Sequence, residues 1–276
     1  PINGRTACAD CAGVHIHTVG VGGVNEAIEI LAQASMAGVD NPGYGIGKMR
    51  DPGDGVDSDR FALFPISDQP VMSAGQEAYI ELPPMENPRI GLLIPPLTMA
   101  LWAWDRLGLE VGEAAVVSGG QPYTRLLTYC ASLRGALPVI ELGSRSTTET
   151  DAGFHYLAID DPDSALRKLT GQIADKPGVC MVDLSGEAKV MDLFFAAMPR
   201  FGRLMLSSIS SEPLTVDFYN HVHRTGARIE AGKIMPQLVF DPAWRDELTP
   251  IRQRATRLVT CPAIAEKLQS LVPIKI

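Results

Sequence analysis

The sequence predicts an α/β protein, a doubly wound parallel sheet preceded by a smaller β-rich unit. Three observations carry that expectation. From about residue 114 onward, short apolar runs alternate with stretches of helical periodicity, the pattern of parallel strands joined by right-handed crossovers. Those runs show little period-two alternation, as expected of strands covered on both faces. The first 90 residues differ, holding many glycines and short extended segments broken by turn clusters such as DPGDG and PISDQP.

The elements follow in order. A helix is expected from Asn25, as cap, through EAIEILAQASM. RFALFP (60–65) and EAYIELP (77–83) read as extended, and LTMALWAWDRLGLEVGE (97–113) as a helix joining the two parts. AAVVS (114–118) is the first strand of the parallel train. In the helix after it, Tyr123, Leu126, Leu127, Cys130 and Leu133 share a face; Pro122 suits its first turn and Gly135 its stop. LPVIEL (137–142) and HYLAI (155–159) are the second and third strands. DDPDSALRKLTGQI opens with acids, which favour the positive end of a helix, and runs on as one. GVCMVDL (178–184), GRLMLSS (202–208) and ARIEAG are strands four to six, with EAKVMDLFFAAM a helix after the fourth. Two helices close the sequence. The expected division is 1–96, 97–232 and 233–276, the last segment packing back on the first.

Composition bounds the function. A chain of 276 residues with 46% hydrophobic and 20% charged residues has ample material for a packed core and is no disordered tail. Its net charge of −8 argues against a general nucleic-acid binder, which needs clustered cations. The longest uncharged apolar stretch, Ile90–Trp104, is interrupted by Pro95 and Pro96 and falls short of the ~20 residues that span a bilayer. PINGRTACADCAG has no basic run followed by an apolar one, so no signal peptide is expected. Five cysteines, an odd number, favour free thiols in a reducing compartment, with the cytoplasm as default.

LTMALWAWDRLGLEVGEAAVVSGG resembles the entry into the cofactor domain of the medium-chain dehydrogenase/reductase superfamily. GVCMVDLSGEAKVMDLFFAAMPRFGRLMLSSISS is similar to that family's fourth strand, helix and "Gly-Gly-Arg" fifth strand. GVDSDRFALFP and GQEAYIELPP resemble its "Gly-Asp-Arg-Val" turn and "Ala-Glu-Tyr" strand. AGVDNP echoes the "Gly-x-Asn-Pro" segment of its zinc-free, quinone oxidoreductase-like branch. The resemblance implies a GroES-like β domain followed by a Rossmann-type sheet. It implies an enzyme that moves a hydride between NADPH and a quinone or conjugated carbonyl without zinc. It also implies a small-molecule substrate and a homodimer paired through the sixth strand near Arg228–Ala231, an edge read as apolar enough to need cover. No "Gly-His-Glu" strand lies between Asn41 and Asp59, so the first domain is abbreviated or rebuilt. Two other readings stand beside it: a non-catalytic relative that binds a ligand or partner, and a zinc-dependent enzyme with relocated ligands.

The cofactor loop departs from the family pattern. A dinucleotide turn wants glycine first for the bend, third for close approach to the pyrophosphate and sixth for helix packing. Here the six are Gly119, Gly120, Gln121, Pro122, Tyr123 and Thr124, so only the first is in place. Past the second strand, Gly143, Ser144 and Arg145 stand where an NAD site carries an acid. Ser144 and Arg145 suit a 2′-phosphate, and Glu141 is read as pointing to the other face. The candidate cofactor set is Thr98, Gly119, Gly120, Gln121, Tyr123, Thr124, Ser144, Arg145 and Asp183, with NADP as cofactor. The candidate catalytic set is Asn41, Tyr44 as proton donor or stacking ring, and Lys48 as carbonyl polariser. Cys8, Cys11, His15 and His17 form C-x2-C-x3-H-x-H but match neither zinc pattern of the family, and no metal is assigned to them.

Overall fold

The computed structural model describes residues 16–21, 24–33, 35–36, 44–50, 57–65, 80–120, 122–143, 154–208, 213, 215–272 and 274–275; before residue 80 it describes side chains only at 44, 46 and 60–63. The chain divides into two compact units, Pro1–Thr98 with Pro236–Ile276, and Met99–Met235.

The first unit opens with strands β1 (Ile16–Val21), β2 (Val24–Gln33), β3 (Ser35–Met36), β4 (Tyr44–Arg50), β5 (Asp57–Pro65) and β6 (Ile80–Glu81). Five of them form an antiparallel sheet in the order β1-β2-β4-β5-β6. The helix expected from Asn25 is therefore a strand. Helix propensity amounts to a few tenths of a kcal/mol per residue, whereas β2 pairs on both sides, Ala27 lying opposite Thr18 on β1 and Arg50 on β4. Ladder bonds on two edges outweigh so weak a local preference.

A 3-10 turn over Pro88–Leu93, capped by the Asn87 side chain on the Arg89 amide, leads into α1 (Ile94–Leu107). This helix begins three residues before the expected Leu97, because Pro95 and Pro96 fall in its first turn, where a missing N–H costs nothing. It stops six residues before the expected Glu113. Gly108 takes φ +65°, a left-handed stop, and the Arg203 guanidinium donates to the Leu107 and Gly108 carbonyls at 3.0 and 2.6 Å. The same guanidinium pairs with Glu113.

The second unit alternates β7 (Ala114–Ser118), α2 (Tyr123–Leu133), β8 (Val139–Gly143), β9 (His155–Ala158), α3 (Pro162–Ile173), β10 (Val179–Asp183), α4 (Ala188–Ala197), β11 (Arg203–Leu206) and β12 (Arg228–Ala231). All six strands are parallel, in the order β9-β8-β7-β10-β11-β12. By position in the train that is 3-2-1-4-5-6, the Rossmann-type order. The apolar runs were continuous because both faces are covered. On one face Val116, Ile140, Leu142, Met181 and Leu204 pack with Leu169 of α3 and Phe194 of α4. The opposite side holds α1 and α2 together through the buried Trp104, whose indole donates to the Leu127 carbonyl at 2.9 Å. Asp161 caps α3 by accepting from the Ser164 amide, a contact worth about 1 kcal/mol. Cys130 and Cys180 are buried thiols whose pKa burial pushes up to about 12, which makes them core groups. The β12 edge carries more charge than its sequence suggested, with Glu230 paired to both Arg228 and Arg106.

The chain closes with α5 (Arg245–Thr260), α6 (Pro262–Leu271) and β13 (Ile274–Lys275), all in the first unit. Leu248, Ile251, Ala255 and Val259 form the buried stripe of α5 at three- and four-residue spacing. β13 pairs antiparallel with β3. Among the described residues, no helix is long and apolar enough to cross a membrane.

Candidate functional site

The strand order reverses between β7 and β10, and in open α/β sheets that is where a crevice forms beyond the carboxyl ends of the strands. Asp183, the last residue of β10, is 2% exposed there. Its Oδ1 accepts from the Ser118 hydroxyl at 2.7 Å, the Ser185 hydroxyl at 2.6 Å and the Ser185 amide at 3.0 Å. Its Oδ2 accepts from the Gly186 amide and the Ser208 hydroxyl, both at 3.1 Å. A carboxylate has about four lone-pair sites, and five protein donors occupy these two oxygens. The expected contact of Asp183 with a cofactor is therefore corrected. The side chain is spent on tying together the segments that follow β7, β10 and β11. Backbone bonds from Leu184 to Ser118 and from Ser207 to Asp183, each 2.9 Å, continue the tie.

The loop over β7 begins at Gly119, whose φ of +132° is open only to glycine. A Cβ there would stand 2.5 Å from the Leu184 Cβ, so the first position of the loop does need its glycine. Gly120 is exposed, with open space where a Cβ would point. Gln121 lies outside the described residues. Pro122 precedes α2 without a side-chain cap. Thr124 replaces the packing glycine of the sixth position by burying itself and turning its hydroxyl back onto the Gly120 carbonyl at 2.9 Å. Tyr123 is half-buried, and desolvation raises its phenol to about 12.

These residues fit a dinucleotide pyrophosphate. Backbone can approach freely at Gly120, and the first turn of α2, uncapped by any side chain, presents the positive end of an 11-residue helix.

At the end of β8, Glu141 lies opposite Tyr156 and Gly143 opposite Ala158. Glu141 and Gly143 are two residues apart on one strand and so share a face; the expectation that Glu141 points the other way is corrected. Ser144 and Arg145 lie outside the described residues.

In the first unit, Tyr44 is fully buried, donates its hydroxyl to the Leu92 carbonyl at 3.0 Å and lies 6.1 Å from the Phe240 ring. That placement gives it a core role in place of the expected proton donor. Thr98 is buried and bonded to the Ile94 carbonyl of its own helix at 2.7 Å, so its hydroxyl is taken up by local backbone. Only the backbone of Lys48 and of His17 is described, while Asn41, Cys8, Cys11 and His15 lie outside the described residues. Among the described residues no group of three His, Cys, Asp or Glu is placed to hold a metal.

Sequence reading missed Ser118, Ser185 and Ser208. Their one shared signal is a small hydroxyl residue just at or after a strand end, in VVS, DLS and LSS.

No protein-family model matches the sequence. Human sorbitol dehydrogenase is 27% identical over 132 residues, 46% of this chain, and the chain spans 37% of the length of that relative. A Mesorhizobium loti protein named as an NADPH:quinone reductase superposes with a TM-score of 0.63 at 16% identity, over 88% of this chain and 78% of its own. A protein of Escherichia coli CFT073 described as a short chain alcohol dehydrogenase, complexed with the cofactor NADH, superposes with a TM-score of 0.56 at 14% identity, over 91% and 73% of the two chains. The parallel sheet in its 3-2-1-4-5-6 order and these superpositions show that the chain shares the fold of these dehydrogenases, and its sequence is similar to part of sorbitol dehydrogenase.

Proposed function

We propose that the protein is an oxidoreductase that binds a nicotinamide dinucleotide across the carboxyl ends of β7 and β10. The observation that carries this reading is the reversal of strand order at that point, with the glycine-only turn at Gly119 and the open approach at Gly120 beside the uncapped start of α2. A bound nicotinamide carries the hydride. The chain's own part is to hold the pyrophosphate on the Gly119–Gly120 backbone and the α2 amides, and to fix those loops through Asp183. The finer reading is NADP as cofactor and a quinone or conjugated carbonyl as substrate, reached without zinc. The Ser144-Arg145 pair, the AGVDNP segment and the likeness to a protein named for NADPH:quinone reduction support it. In this reading residues 1–96 form the GroES-like substrate side, 97–232 the cofactor side and 233–276 a helical segment that packs back on the first, and the cytoplasm is the site of action.

The test is a fluorescence titration with NADPH and NADH. NADPH is expected to bind at least about tenfold more tightly, since one charge-assisted hydrogen bond to the 2′-phosphate contributes about 1.5–3 kcal/mol. Arg145→Ala should erase the preference and leave NADH affinity unchanged. Equal affinity in wild type removes the Arg145 argument. Failure of both to bind at millimolar concentration turns the reading to a non-catalytic relative.

The proposal extends to a homodimer in which β12 pairs with its copy across a two-fold axis, since β12 is a terminal strand of its sheet. Light scattering at micromolar concentration should give twice the 29.7 kDa chain mass; a monomeric mass would sink this part.

A further inference from the structure

The end of β8 holds a second device for cofactor choice, one that no loop motif reveals. An NAD-selecting site grips the adenosine ribose diol with a carboxylate at the end of its second strand, and here that place is Gly143, the last residue of β8. A Cβ built on Gly143 would meet the Tyr156 hydroxyl oxygen at 2.8 Å, its Cε2 at 3.2 Å and its Cζ at 3.4 Å. Tyr156 stands on the neighbouring strand β9 opposite Glu141, so its ring crosses diagonally along the sheet face to cover Gly143. Residues one strand over and two along are within reach of an aromatic side chain. The ring is half-buried, so swinging it clear would expose apolar surface.

We propose that Tyr156 is a specificity-determining residue. Its ring fills the space that a side chain at 143 would need, so the position stays glycine and offers no carboxylate to the ribose diol of NADH; through that missing carboxylate the site is left to a dinucleotide phosphorylated at the 2′ position. The inference rests on the cofactor reading above and sharpens it. Arg145 would attract the phosphate, whereas Tyr156 acts by exclusion, through packing alone. Because the two effects have different origins, they separate experimentally.

The experiment is a double-mutant cycle in the full chain with Gly143→Asp, Tyr156→Ala and the pair, reading melting temperature and the Kd of NADPH and NADH. Gly143→Asp alone is expected to lower the melting temperature and to add no NADH affinity. In the Tyr156→Ala background the same change should be tolerated thermally and should tighten NADH at least about tenfold relative to Tyr156→Ala alone, the worth of one charge-assisted hydrogen bond. Additive melting shifts, or an equal NADH gain from Gly143→Asp with the tyrosine in place, overturn the exclusion by Tyr156. A stable double variant whose NADPH-to-NADH ratio has not moved does so too. Wild type that binds neither dinucleotide overturns the cofactor reading itself, and this inference with it; that result differs from a chain that binds both but shows no coupling.

Discussion

Replacing Asp183 with alanine is expected to destabilise the second unit by about 3–5 kcal/mol, near the upper end of what single substitutions cost. The carboxylate is 2% exposed and accepts from three serine hydroxyls and two backbone amides. Alanine leaves all five donors without their acceptor, in a place where water has little access. A net hydrogen bond to a charged group contributes about 1.5–3 kcal/mol, and the losses are not additive because the freed loops relax. Asp183→Asn should fall between. Its carbonyl oxygen still serves the Ser118 and Ser185 hydroxyls, but its amide nitrogen meets the Gly186 N–H as donor against donor. Ser208→Ala, which removes one donor only, should cost about 1 kcal/mol. Urea unfolding followed by circular dichroism ranks the three. An alanine variant within about 1 kcal/mol of wild type would show that the cluster does not hold the strand ends together.

Gly119→Ala is expected to cost about 3 kcal/mol and to abolish dinucleotide binding. Two terms contribute. A non-glycine residue at φ +132° is strained by about 1–3 kcal/mol, and overpacking against a fixed neighbour adds a similar amount. The neighbour here is the Leu184 Cβ at 2.5 Å and the Leu184 carbonyl carbon at 3.0 Å. Those atoms cannot step aside, because the Leu184 amide is bonded to the Ser118 carbonyl. Leu184→Ala therefore gives no rescue, since it keeps the Cβ. Leu184→Gly should recover part of the packing term and none of the strain. Gly120→Ala, with nothing within 4 Å of a built Cβ, should change stability by less than about 0.5 kcal/mol. Equal costs at 119 and 120 would refute the geometry of the turn.

The parallel sheet was legible because its signals are local. Strands β7, β8, β10 and β11 are short apolar runs, and the helices beside them carry local start and stop signals such as Asp161 before Pro162 and Gly135 after α2 at φ +82°. The first sheet was less so. Val24–Gln33 has the composition of a helix and pairs as a strand, a choice made by partners that its own residues do not name. The candidate site divides in the same way. Gly119 is identified by its place after an apolar strand, since a turn that tight excludes a Cβ. Tyr44 and Thr98 had chemistry suited to a site, but burial and a backbone carbonyl absorb each hydroxyl.

What the sequence alone determined is the fold class of the second unit, the position of the glycine turn and the absence of the usual third and sixth glycines. These depend on periodicity and on backbone limits that act within a few residues. The tertiary structure alone decided that Asp183 faces serines 65 residues before it and 25 after it. It also decided that Tyr156 covers Gly143, and that Thr124 serves where a glycine was expected. Parallel strands bring residues far apart in sequence to one sheet edge. Which side chain meets which there depends on register, and register is a property of paired strands that no single segment carries.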